Sequence, residues 1–473
     1  MLGDKMSSYP RAISVLGLGK LGAPIAACFA HKGYRVIGID NNLDTVRLIN
    51  EGRAPLYEPR LEELIAANRE RLIATENCEE AILESDITFI VVPTPSDKDG
   101  GFSLHHVLLA CKRLGKVLRD KQYHLVVLTS TVLPGATENE VRPILEAHSQ
   151  KRSGSGFGLC YSPEFVALGS VIHNLLKPDF ILIGESDPKA GERLASFYRT
   201  VCDNEAPIAR MNSINAEITK LAVNTFVTTK ITFANMLARV CERMAGADAD
   251  VVTAALGLDA RIGGRYLKGA IGYGGPCFPR DNLAFSFLAQ QLGARADLAE
   301  ATHHANREEV HRLASLVRSK NAKDGIVGIL GLAYKPDTDV VEESQGLLLA
   351  QVLTAAGIPV VAYDPAAMNN ARHRLNGSLR FADSLETCVK EADVLVITTP
   401  WEAFRHLEPA LLRRPGLPRV VIDCWRILDL EIVGSVVDYI ALGVGAQFHE
   451  AKHLPIGSEN VGASASTSPS THR

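Results

Sequence analysis

A short run of Ile13, Ser14, Val15 and Leu16, apolar but for the serine, leads without a linker into Gly17-Leu18-Gly19-Lys20-Leu21-Gly22. A helical apolar pattern that includes Ile25 and Phe29 follows, then a second apolar run, 36–39, ending on Asp40, 18 residues after Gly22. Three glycines at this spacing between a strand and a helix have separate tasks in a parallel βαβ unit. The first makes the tight turn, the second lets backbone approach a pyrophosphate, and the third lets helix pack closely on strand. The helix start offers unpaired amides to the phosphates, with Lys20 and Leu21 in the same loop. Glycine-rich turns also occur in ordinary α/β domains. The acidic strand end in register points to a dinucleotide, and specifically to NAD, because a carboxylate at Asp40 accepts both ribose hydroxyls and repels a 2′-phosphate. A further run, 87–92, brings Pro93, Thr94 and Pro95 to the carboxyl edge of the same sheet, where ligands of such folds bind.

More apolar runs at 125–128 and 180–183, with a strand around 160, alternate with helical stretches and predict a doubly wound, mostly parallel sheet. Residues 212–244 then form one helical segment free of Gly and Pro, capped by Asn212 or Ser213 and on the order of 50 Å long. After a glycine-rich loop at 263–275, apolar runs return at 326–330, 359–363, 394–398 and 420–423. The predicted fold class is therefore α/β, with two doubly wound Rossmann-like domains joined by a long central helix. The expected division is a dinucleotide domain 1–207, a central helical domain 208–315, a third α/β domain 316–456 and a disordered tail 457–473. No short-period repeat is visible.

Composition narrows the function classes. Fifty Lys and Arg against 54 Asp and Glu give a net charge of −4, which offers no global field for nucleic acid or an anionic membrane. No window reaches 18 uninterrupted apolar residues, and the stretch 12–30 holds Lys20 and turn glycines, so neither a spanning helix nor a signal peptide is expected. Nine scattered cysteines without a CxxC pair argue for a reducing, cytoplasmic location and against a zinc site. His303 and His304 lack a second cluster, so no metal is expected.

Residues 271–281 read IGYGGPCFPRD. Cys277 follows two glycines, with Arg280 and Asp281 three and four positions on. Glycines admit close approach, and a nearby cation favours the thiolate that attacks; taken alone, a cysteine is more often a buried inert thiol. Glu217, Lys220 and Asn224 share one face of the long helix. By spacing alone they read as a solvated stripe.

The Cys277 segment resembles the GGxCFPKD signature of the UDP-glucose/GDP-mannose dehydrogenase family, the nucleotide-sugar 6-dehydrogenases. The resemblance continues through GLGKLGAPIA at 17–26, VVPTP at 91–95, STVLPGAT at 130–137, SPEF at 162–165, KPDFILIG at 177–184, AEITKLAVN at 216–224, RIGGRY at 261–266 and GLAYKPDTD at 331–339. It implies oxidation of C6 of a UDP-hexose or UDP-N-acetylhexosamine to a uronate, with two NAD consumed and Cys277 as nucleophile. It also implies that Lys220 and Asn224 hold oxyanions at C6, that Asp281 positions or deprotonates water, and that Thr131 and Glu164 manage water and protons. Phe165, Tyr273 and Gly274 would line the sugar site, Lys335 would face the diphosphate, and Arg261 would reach the neighbouring subunit's site in a homodimer built on the central helix.

Four departures bear on that reading. Leu168 stands where the family often has a second Glu, Glu342 replaces an Arg near the cofactor, Arg426 comes one residue late after Asp423, and Arg280 replaces a Lys. They suit a subgroup acting on N-acetylated hexosamines as readily as one acting on UDP-glucose. Two rivals follow: a two-electron hydroxyacid-type dehydrogenase, which needs no cysteine, and a silent protein that binds NAD and UDP-sugar.

Overall fold

The computed structural model describes residue 10 and residues 12–322, 325–375, 379–414, 416 and 418–445. The expected tail lies outside them. Eight strands make the first sheet: β1 (Ala12–Leu16), β2 (Arg35–Ile39), β3 (Leu72–Thr75), β4 (Ile87–Ile90), β5 (Leu125–Leu128), β6 (Gly158–Tyr161), β7 (Ile181–Glu185) and β8 (Ile208–Met211). Their order is β3-β2-β1-β4-β5-β6-β7-β8, parallel except for the β6–β7 pair. The inner strands β4, β5 and β6 are buried throughout, because helices cover both faces.

Six strands form the second sheet: β9 (Val327–Leu330), β10 (Val360–Tyr363), β11 (Arg380–Phe381), β12 (Val394–Ile397), β13 (Arg419–Asp423) and β14 (Val437–Ala441). They run in the order β11-β10-β9-β12-β13-β14, so both sheets have the same winding. The likeness extends to atoms. Gly17 and Gly331 follow the first strand of each sheet with φ of +96° and +111°, and their amides donate to the carbonyls of Ile39 (2.8 Å) and Tyr363 (2.9 Å). A Cβ on Gly22 would lie 1.8 Å from the Gly17 oxygen, and one on Gly346 would lie 2.1 Å from the Gly331 oxygen. Five positions separate the first pair and fifteen the second. The extra residues form an excursion that reaches the cleft between the sheets.

All four strands that sequence reasoning missed, β3, β8, β11 and β14, are sheet edges. An edge is covered on fewer sides, so its sequence need not be a continuous apolar run. The central helix spans Ser213–Cys241, about 43 Å at 1.5 Å per residue. Asn212 caps it by accepting the Asn215 amide at 2.9 Å. It ends three residues before the expected Met244, where the Glu242 carboxylate accepts from Arg312 and from the Gly443 amide, both at 2.9 Å.

Two joints fix the third domain to the central one. Arg426, whose side chain is 9% exposed, forms a bidentate pair with Asp250, both bonds 2.8 Å, and donates to the carbonyls of Gly269 and Leu442. Such a planar fork fixes orientation as well as charge. The second joint is the glycine loop: a Cβ on Gly274 would lie 2.3 Å from the Glu343 oxygen, and the Gly275 amide donates to Glu342 (2.9 Å).

Inside the first domain, His124 is fully buried, with Nε2 2.7 Å from the Thr88 hydroxyl, which in turn meets Ser14 at 2.7 Å. Burial, and then Lys121, push its pKa down to about 3 from 6.5. The unfolded chain therefore binds a proton at His124 that the folded chain refuses, so stability is present above pH 6.5 and is lost as pH falls towards 3. Between pH 7 and pH 5 this one group contributes about 2 kcal/mol of lost stability. Urea unfolding at both pH values should show that loss in the wild type and less of it in His124→Gln.

Candidate functional site

The site lies where the carboxyl edge of the first sheet, the central helix and the third-domain excursion converge. On the dinucleotide side, Asp40 closes β2 and its carboxylate is oriented by two amides, Leu18 at 2.7 Å on one oxygen and Asn42 at 2.9 Å on the other. Each oxygen keeps a lone pair for a further donor. A Cβ added to Gly19 would meet nothing within 4 Å, so the space above that backbone is open, and no acidic residue stands in the first turn of the helix Gly22–His31. Open backbone, an unopposed helix start and a pre-oriented carboxylate fit the phosphates and ribose of NAD. The counterpart in the second sheet, Asp364, does not fit them. It is buried, accepting the amides of Leu332 (2.7 Å), Ala333 (2.9 Å), Ala366 (2.9 Å) and Ala367 (2.8 Å) and the Trp401 indole (3.1 Å).

Thr94 lies at the sheet edge and donates to the Thr131 carbonyl at 2.8 Å, tying the 91–95 loop to the 130–137 loop. Pro93 beside it is exposed. Lys20 faces across the cleft to Glu342, at 3.5 Å, with both side chains half exposed. The charge reversal at Glu342 is thus answered by a cation in the glycine loop itself.

Lys220 and Asn224 are buried, and so is Glu217, so the solvated-stripe reading is corrected. This face of the helix carries polar groups inward because each has a partner. Glu217 accepts the amides of Gly135 (2.6 Å) and Thr137 (2.9 Å) and so supports the loop bearing Thr131. Lys220 donates to the Glu164 carbonyl at 2.7 Å and stands 4.7 Å from the centre of the Phe165 ring. The Asn224 amide donates to Asp281 at 2.6 Å, while the other Asp281 oxygen takes two bonds of 3.2 Å from Arg280. Asp281, fully buried, therefore fixes the amide of Asn224 and the guanidinium of Arg280.

Cys277 immediately precedes the helix Phe278–Gln291 and is the one exposed cysteine of the nine; Cys202 is half-buried and the rest are buried. The protein crowded round its sulfur pushes the thiol pKa up and Asp281 adds to that, while Lys220, Arg280 and Lys20 act in the opposite direction. Three cations thus act on the thiol of the one exposed cysteine.

Glu164 is half-buried, and desolvation raises its pKa to about 7, against the opposing effects of Lys220 and of the Tyr198 hydroxyl at 3.5 Å. A carboxyl that titrates near neutrality suits general acid–base work. Tyr198, which also meets Ser162 at 3.1 Å, was not found from sequence, since it sits on the helix Pro188–Val201 far from any motif. Leu168 packs on the first-domain core.

The remaining expected residues have other surroundings. Arg261 is 89% exposed and its hydrogen bonds go to Asp259, not to the Cys277 cluster. Tyr273 is buried, its phenol taking the Asn282 amide at 2.9 Å and its backbone gripped by Asn306. The space a side chain would need at Gly274 is filled by the third domain. Lys335 is half-buried; desolvation pushes its pKa down while Glu58 and Asp337 hold it up. No cluster of metal-ligating side chains occurs among the described residues.

An open glycine turn with an acidic strand end, set across a cleft from an exposed cysteine and an ammonium, defines a dinucleotide-dependent oxidoreductase. Comparison with known proteins makes this specific. Residues 11–202 match the NAD binding domain of the UDP-glucose/GDP-mannose dehydrogenase family, 214–308 its central domain and 328–430 its UDP binding domain. The chain is 37% identical to the UDP-glucose 6-dehydrogenase AglM of Haloferax volcanii, over 88% of this chain and 97% of that one. It is 34% identical to a GDP-mannose 6-dehydrogenase of Azotobacter vinelandii, over 84% and 93%. Its fold is similar to the UDP-glucose dehydrogenase structure from Pyrobaculum islandicum, with a TM-score of 0.84, 34% identity and coverage of 93% and 99%. The chain belongs to the UDP-glucose/GDP-mannose dehydrogenase family, and NAD is its cofactor.

Exposure of one thiol among nine has a direct test. Brief treatment of the folded protein with iodoacetamide, followed by peptide mass spectrometry, should place the first label on Cys277. First labelling at Cys202 or at a core cysteine would contradict the geometry.

Proposed function

We propose that the protein oxidises C6 of a UDP-hexose or UDP-N-acetylhexosamine to the uronate in two steps at a single site, with Cys277 holding the carbon between them. The observation that carries this reading is the lone exposed cysteine at the start of the helix that bears Arg280 and Asp281, with Asp281 bonded to Asn224 on the central helix. NAD supplies the hydride acceptor for each oxidation. As hydride leaves C6 in the first oxidation the hydroxyl proton passes to water positioned by Asp281, and Lys220 and Asn224 stabilise negative charge on the C6 oxygen. The first product is an aldehyde, which cannot readily give up a hydride until a nucleophile makes its carbon tetrahedral. The Cys277 thiolate adds to that carbon, forming a C–S bond and an oxyanion at the C6 oxygen. After the second oxidation the carbon is a thioester. Water held near Thr131 attacks it with a proton lost to Glu164, the C–S bond breaks, and the thiolate leaves with the uronate free.

Names of relatives support the nucleotide-sugar class, and they span UDP-glucose, GDP-mannose and, at 26% identity with a TM-score of 0.78, a UDP-D-ManNAc dehydrogenase of Pyrococcus horikoshii over 91% of this chain and 99% of that one. The match of 328–430 to a UDP binding domain favours UDP. Lys335 is assigned to the diphosphate. The proposed division into domains places boundaries at about 207 and 315, the second within the helix Asp297–Lys320, and at 456, outside the described residues. Apolar side chains exposed along the outer face of the central helix, including Ile218, Phe226, Phe233, Met236 and Val240, support a homodimer through that helix, with the exposed Arg261–Asp259 pair available to the partner's site. Nine unpaired cysteines support a cytoplasmic location, and a uronate product suits polysaccharide or glycoside synthesis.

A panel of UDP- and GDP-sugars with NAD tests the reading. Two NADH per sugar are expected; a one-to-one yield supports the two-electron rival, and binding without NADH the silent one. Cys277→Ser should lose at least about a thousandfold in kcat for complete oxidation, and full four-electron turnover by this variant overturns the covalent scheme. Because Glu164 must be ionised to act as base, kcat for hydrolysis should rise with pH through about 7. That limb should vanish in Glu164→Gln.

A further inference from the structure

Glu58 lies in the turn before the helix Leu61–Ala67, outside every motif that sequence analysis singled out, and is only 7% exposed. One carboxylate oxygen accepts the amide of Gly169 at 2.7 Å and the other that of Val171 at 2.8 Å. These two amides close the segment 163–170, which carries Glu164 and Phe165. The same segment abuts the third domain. Gly169 has φ of +84°, and a Cβ there would lie 2.3 Å from the Asp337 carbonyl oxygen. Lys335 stands two residues before Asp337, and its charge and that of Glu58 act on one another. A buried carboxylate with only neutral amides for company is poorly compensated; burial still holds its pKa up, and the ammonium offsets a small part of that cost.

We propose that Glu58 is a positioning residue that holds the Glu164 loop and Lys335 against each other, so that the base and the cation for the diphosphate keep a fixed separation across the domain boundary. This rests on the assignment of Lys335 to the diphosphate. Glu58 touches no reacting atom. Without its charge, Lys335 keeps Asp337, which is exposed, and the segment 163–170 loses one of its two amide anchors.

Steady-state kinetics on the full chain, with the nucleotide sugar that gives NADH, test this in Glu58→Gln, Lys335→Met and the double variant. Glu58→Gln should raise the sugar-nucleotide KM about tenfold and leave the NAD KM within about twofold, a split that general loosening of the fold would not produce. In the Lys335→Met background the same substitution should have a much smaller effect on that KM. Should Glu58→Gln fail to fold, Glu58→Asp carries the same comparison, keeping the charge one methylene short of the amides. Both KM values rising together, or effects of the two substitutions that simply multiply, would overturn the role of Glu58 while leaving the assignment of Lys335 intact. A Lys335→Met variant with unchanged sugar-nucleotide KM would overturn both.

Discussion

The contact on which the site depends is backbone against backbone. The loop before Cys277 lies so near the 342–343 segment that a methyl group at Gly274 would sit 2.3 Å from a carbonyl oxygen, and one at Gly275 would sit 2.7 Å from the Tyr334 ring. No side chain is tolerated there without moving a domain. That absence locates the sulfur relative to the third domain, while Asp281, one turn into the following helix, locates it relative to Asn224 on the central helix. Three regions of the chain thus meet at one cysteine, and the Arg426–Asp250 fork keeps the third from sliding away.

The two sheets show how one architecture serves two purposes. Each begins with a strand, a glycine in the left-handed region and a second glycine whose missing side chain admits a carbonyl. In the first sheet the turn stays short and open, and Asp40 keeps hydrogen-bonding capacity to spare. In the second, Asp364 is saturated by protein donors and the turn is drawn out into the excursion that carries Lys335 and Glu342. The first design leaves room for a cofactor; the second builds one wall of the cleft.

Much of this was legible in sequence. The glycine turn, Asp40, both sheets and the central helix follow from spacing and apolar runs, since those features report local geometry and burial on both faces. What sequence could not supply depends on distant partners. Lys220 and Asn224 look like surface residues until Glu164 and Asp281 are brought to them. Nothing in the local sequence shows that Asn306 grips Tyr273 or that Glu343 packs on Gly274. Glu58 and Tyr198 bear no local pattern, because their meaning lies in residues more than thirty positions away. The repeat between the sheets also escaped, because it is a repeat of backbone turns with different intervening lengths.

Covalent capture at the sulfur is the central claim, and trapping the enzyme during turnover tests it most directly. Protein mixed with its nucleotide sugar and NAD is quenched in acid within milliseconds, digested, and the peptide containing residue 277 weighed. The account predicts a sugar-nucleotide adduct on that peptide, carried by Cys277 and absent when NAD is omitted. Continuous formation of uronate with this peptide always unmodified, at quench times spanning the first turnover, would contradict it.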